Sequence, residues 1–169
     1  MLKVRQLTFS LVLFCNILLV FLLCFEDRIA LPLVLQFAGR LHPMVLHFPL
    51  ALFFVGILVD WLQKRGNEDS PAAQKFVEII FSLYALGSVF TALFGLFLFK
   101  EGSYSGDDIN LHKWLGSAAA LLSIFILWFR NRSYRVPYLI TLLLSFIALV
   151  GAGHLGAEVT HGEGFLTEP

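Results

Sequence analysis

Five apolar runs separated by short polar breaks decide what this 169-residue chain can fold into. They fall over 8–25, 41–62, 76–99, 110–129 and 137–155, each close to the ~20 helical residues that cross ~30 Å of hydrocarbon. Lipid offers the backbone no hydrogen-bonding partner, so only helices and closed barrels span it, and runs without period-two alternation are helices. A composition of 58% hydrophobic and 14% charged residues, with a mean hydropathy of +0.80, excludes a soluble domain. The breaks over 65–71, 101–108 and 130–137 carry Gly, Asn, Ser and Pro, and connections this short join antiparallel neighbours. The expected fold is all-α and integral to the membrane. An N-terminal anchor helix with an outer loop occupies 1–36, an antiparallel four-helix bundle 37–157, and a short outer tail 158–169.

Lys3 and Arg5 precede the first run as in a signal sequence, but no small-x-small cleavage site follows it, so the segment reads as a retained anchor. Cys15 and Cys24 lie inside that run without metal or haem-attachment spacing, and they read as packing residues. With the N-terminus inside, eight of twelve Lys and Arg fall on the inner side: Lys3, Arg5, Lys64, Arg65, Lys75, Arg130, Arg132 and Arg135. That satisfies the positive-inside rule and gives an N-in, C-out chain. Trp61 and Trp128 then belong to the inner interface and Trp114 to the outer. The net charge is zero, and no basic patch points to nucleic acid.

The same orientation collects all five histidines, His42, His47, His112, His154 and His161, near the outer face. Histidine is costly in lipid, so each is a functional candidate. His42 precedes Pro43 and reads as a helix cap. His47 lies ~7 Å deeper, and Pro49 beside it cannot donate to the carbonyl of Val45, so a kink is expected there. His47, His112 and His154 come from three helices at similar depth and are expected to converge, each with a small residue one turn along its own helix: Ala51, Gly116 and Gly151. The Gly87, Thr91 and Gly95 stripe on the third span reads as ordinary close helix packing. On a continuous helix His154, Glu158 and His161 would share a face suited to a metal ion, although the glycines around them argue against such a helix. No acidic residue falls at mid-depth, which argues against transport across the bilayer.

The combination of His42-Pro43 with His47-Phe48-Pro49, His112-Lys-Trp-Leu-Gly116, and Gly153-His-Leu-Gly156 with Thr160-His-Gly162 resembles a bacterial membrane domain catalogued as domain of unknown function 2231. The resemblance covers about 37–165, with Ala157 where the family commonly has a second glycine. It implies a bacterial inner-membrane, multi-pass location with the histidines on the periplasmic side. Association of that domain with planctomycete-type c-type cytochrome domains implies electron transfer, with a c-type cytochrome or other membrane redox subunit as partner.

Three functions are therefore expected to compete. The first is a b-type cytochrome-like protein. In it His47 with His112 or His154 ligates haem b, and Arg40 or Lys113 meets the propionates. The second is a cofactor-free structural or assembly subunit. The third is a divalent-metal site drawn from His47, His112, His154, His42, His161 and Glu158. No nucleophile motif or phosphate loop appears, so a redox carrier is favoured over an enzyme acting alone.

Overall fold

The computed structural model describes residues 2–66, 70–102, 104–132 and 134–162, with no side chains described for 2–4 and 131. The C-terminal tail expected at 158–169 is thus seen only as far as Gly162, and parts of the polar breaks, at 67–69, 103 and 133, lie outside the described residues. The helices are α1 (Leu2–Cys24), α2 (Leu33–Gly39), α3 (His42–Val45), α4 (His47–Arg65), α5 (Pro71–Glu101), α6 (Asp107–Asn131) and α7 (Arg135–His161), with a 3-10 turn at Glu26–Arg28. Five candidate membrane spans result, α3 and α4 together forming one of them, His42–Arg65. Large apolar side chains such as Leu58, Leu143 and Ile147 remain exposed, as they must where the surroundings are lipid rather than water.

The α3–α4 span is interrupted at Leu46. Pro49 has no N–H to return to Val45, so the ladder lapses for one residue while the backbone stays helical. Pro71 opens α5 behind Ser70, whose hydroxyl accepts from the Ala73 N–H, a cap that satisfies one otherwise unpaired donor. Asp107 and Asp108 occupy the first turn of α6, where the helix dipole favours negative charge.

Cross-contacts fix the directions. Arg5 of α1 lies 3.8 Å from Glu78 near the start of α5, and Phe9 packs on Trp128 at the end of α6. Gln63 near the end of α4 donates to the Ala73 carbonyl at the start of α5. Successive spans therefore run up and down. α5 packs on α1, α2, α4 and α6, and α6 on α7, while α4 meets α7 through side chains, as in Phe54 against Phe146. One buried cluster gathers Phe53, Phe81, Tyr84, Ile126 and Tyr138 from α4 to α7. A second, including Leu19, Val89 and Leu93, seals α1 onto α5 and α6. The N-terminal helix α1 is thus part of the packed structure. α2 meets α5 without an intervening side chain: a Cβ on Gly39 would lie 2.5 Å from the Leu98 backbone nitrogen.

Candidate functional site: a histidine pair at one end of the bundle

His42 and His112 face each other across the bundle with ring centroids 6.1 Å apart and planes at 87°. His42, on α3, places Nδ1 2.9 Å from the carbonyl of Thr91 on α5. His112, on α6, places Nδ1 2.8 Å from the carbonyl of Ala152 on α7. A carbonyl can only accept, so each Nδ1 carries the hydrogen, and in the neutral ring each Nε2 is left with a lone pair.

The two seats are built alike. The Thr91 carbonyl is followed four residues later by Gly95, and the Ala152 carbonyl by Gly156. Within a helix the residue at i+4 shields that carbonyl, and glycine leaves it open on one side. A Cβ at Gly95 would lie 2.9 Å from Cε1 and 3.0 Å from Nδ1 of His42. At Gly156 it would lie 3.0 Å from Cε1 and 3.3 Å from Nδ1 of His112. Each ring therefore rests on a neighbouring helix where a side chain would exclude it.

This arrangement corrects the expected assignment of the two histidines on the second span. His42 is at the first position of α3, Leu41 is the N-cap, and no side-chain cap bond forms. Its ring points across to α5 instead. His47 is exposed, because five residues along a helix turn a side chain by about 140°, onto another face. The small residues that matter also lie on partner helices: Gly116 meets nothing within 4 Å, and Gly151 would meet Leu115 rather than a histidine. The α5 stripe is the seat of the second span, with Gly95 beneath His42 and Gly87 against Pro49.

The other candidates lie apart from the pair or are already partnered. α7 is unbroken to His161 despite its glycines, past the boundary expected at 157. His154 Nε2 lies 3.6 Å from Glu158 one turn on, at the half-exposed edge of α7, and His161 is exposed. Among the described residues no group of three or more His, Cys, Asp or Glu converges in a way that could hold a metal ion. Arg40 is exposed and forks onto the Glu101 carboxylate. That hydrogen bond, with the charge behind it, raises the already high Arg40 pKa. Lys113 is largely buried between Glu26, 2.8 Å away, and the Phe99 ring, and Lys100 donates to the Glu26 carbonyl.

Sequence reasoning missed a second polar centre at the opposite end. Asp60 is 6% exposed and accepts from Lys64 at 2.6 Å, Tyr138 at 3.0 Å and Arg130 at 3.4 Å. Its position inside the last turns of an apolar helix was the available signal, since a carboxylate there needs partners from its neighbours.

A family model described as "Predicted membrane protein (DUF2231)" matches residues 39–168, the bundle that contains both histidine seats. The chain belongs to the DUF2231 family. No curated protein and no solved structure matches it. Membership makes it a predicted membrane protein, and the five apolar helices are consistent with a multi-pass one. The match begins at Gly39, the residue pressed onto α5, so α1 and Glu26 lie before it.

Proposed function

We propose that this family member is a b-type cytochrome-like membrane protein in which His42 and His112 ligate haem b near one face of the bilayer. The carrying observation is that both rings spend Nδ1–H on a backbone carbonyl and keep an Nε2 lone pair. That is the usual arrangement of metal-ligating histidines, whose second nitrogen is anchored to a carbonyl or carboxylate. A metal held at about 2 Å by one nitrogen of each ring would need ring centres within about 6 Å of each other, and these are 6.1 Å apart. The donor set therefore fits the group. Haem, when bound, supplies a one-electron couple at iron.

The chain's own residues do the rest. The Thr91 and Ala152 carbonyls orient the rings, and Gly95 and Gly156 admit them. Lys113 stays with Glu26, because withdrawing it would strand a largely buried carboxylate. Arg40, exposed on its Glu101 fork, is the cation able to exchange partners with a propionate. Lys64, Arg65, Arg130 and Arg132 at the other end support an inner-membrane chain with the histidines outside, where a c-type cytochrome or other redox subunit would exchange electrons.

The test is an optical spectrum of detergent-solubilised protein, oxidised and reduced. A Soret band is expected in the wild type. A colourless protein made with ample haem would sink the reading.

A cofactor-free assembly subunit is the second reading. What favours it is that the same two hydrogen bonds already pin α3 to α5 and α6 to α7, a form of helix glue that stabilises by roughly 1 kcal/mol per contact. A colourless protein that co-purifies in fixed ratio with a cytochrome would support it.

A further inference from the structure

A groove runs between α1 and α6 at the histidine end. Leu23 and Cys24 of α1 form one wall, and Trp114, Ser117, Ala118 and Leu121 of α6 the other. Its volume is about 280 Å³, its lining is almost wholly apolar, and it is open along one side. Sites that enclose a drug-sized molecule run to roughly 300–1,000 Å³. A smaller, open-sided groove suits a flexible chain laid along it better than a rigid ring. From Trp114 to Leu121 it follows α6 for ~10 Å. Tryptophan marks the headgroup level of a bilayer, so the mouth at Trp114 meets the headgroups and the rest lies in hydrocarbon.

The mouth carries an excess of positive charge. Lys113, one turn before Ser117 on the same face of α6, holds Nζ 2.8 and 2.9 Å from the two carboxylate oxygens of Glu26, which follows Cys24 by two residues. Lys100 at the end of α5 donates to the main-chain carbonyl of the same Glu26. Among the described residues Lys100 pairs with no carboxylate. Asp27 and Arg28, on the same turn, are exposed and offset each other in charge. Two ammonium groups therefore share one carboxylate, with Lys113 largely buried and Lys100 partly so. A desolvated charge without a counterion is costly. An ammonium has three N–H donors: Lys113 gives two to Glu26 and Lys100 gives one, which leaves three to offer.

We propose that the groove and its two lysines bind one anionic phospholipid. An acyl chain lies between α1 and α6, and the phosphodiester takes the remaining N–H groups of Lys100 and Lys113. The singly charged phosphate balances the one positive charge left over at the mouth. A zwitterionic lipid brings its own cation and leaves that excess in place, and a free anion leaves the groove unfilled. The bound lipid joins α1 to α6 beside the Glu26 link, and its α1 wall lies ahead of the family match. The site uses no histidine and stands apart from the haem reading.

The chain is tested by solubilising it from vesicles of equal parts phosphatidylglycerol and phosphatidylcholine, washing it in detergent, and identifying the retained lipid by native mass spectrometry. A single lipid is expected, phosphatidylglycerol being favoured about fivefold, the preference that one unit of charge gives at a membrane surface. Lys100→Gln keeps a donor for the Glu26 carbonyl but removes the charge, and should bring the two lipids to parity. Ala118→Phe fills the groove and should lose both. Wild-type protein that retains no lipid, or retains the two equally, overturns the proposal. So does a preference unchanged in Lys100→Gln, as binding to the basic residues of the opposite end would give. Retention unchanged in Ala118→Phe overturns the groove as the site, and should that variant fail to fold, Ala118→Leu decides by the same criterion.

Discussion

The two ends of the bundle handle buried polar groups in opposite ways. At the Asp60 end, both carboxylate oxygens are engaged by side chains from α4, α6 and α7, two of them cations. At the histidine end, the rings are held by main-chain carbonyls that take one nitrogen each. The first arrangement uses up its chemistry in holding helices together. The second spends half of it and leaves two lone pairs. A buried polar side chain is therefore best judged by what remains after its hydrogen bonds are made, rather than by its type.

Four experiments would break or sharpen that contrast. The largest effect is expected in the optical spectrum, where His42→Ala and His112→Ala should each abolish the Soret band while His47→Ala keeps it. A band lost with His47 and kept without His42 would return the ligand role to the exposed residue. Next, Asp60→Ala leaves the Arg130 and Lys64 cations without their carboxylate and should destabilise the protein by about 3 kcal/mol, the low end for breaking a buried pair, read as an earlier thermal or denaturant midpoint in detergent. The spectrum should survive in the folded fraction.

A smaller effect is expected at the seats. Gly95→Ala forces a methyl against the His42 ring and should cost about 1–2 kcal/mol, with much of that loss relieved in the Gly95→Ala, His42→Ala double variant, as coupling between touching residues requires. Gly116→Ala, where a Cβ meets nothing, serves as the control and should be neutral or slightly stabilising. The smallest effect belongs to Arg40→Ala. Its fork to Glu101 is exposed, and exposed ion pairs contribute little, so the melting midpoint should not move measurably.

The fold was legible because lipid imposes its terms on the sequence directly. Run length gave the five spans, and Pro49 announced the lapse at Leu46 through the N–H it lacks. The site was legible only in part. That His42 and His112 lie at the same end followed from alternating spans, but which histidine turns inward depended on helix phase. The approximate 140° between His42 and His47 was available from spacing alone and separates them. The seats were harder to foresee. Thr91 and Ala152 contribute carbonyls, which every residue possesses, and Gly95 and Gly156 contribute an absence. Such features acquire meaning only when a ring from another helix is brought against them. The glycines on the histidines' own helices, Gly116 and Gly151, take no part in the seats.

The link from Glu26 to Lys113 and Lys100 joins the segment ahead of the family match to the matched bundle. A bundle produced from Gly39 onward would keep both histidine seats but lose the acceptors of two lysines beside the hydrocarbon boundary. The turn at Glu26–Arg28 thus serves as a charge cover, and a minimal unit of this chain is better cut ahead of it, or given an acidic residue in its place.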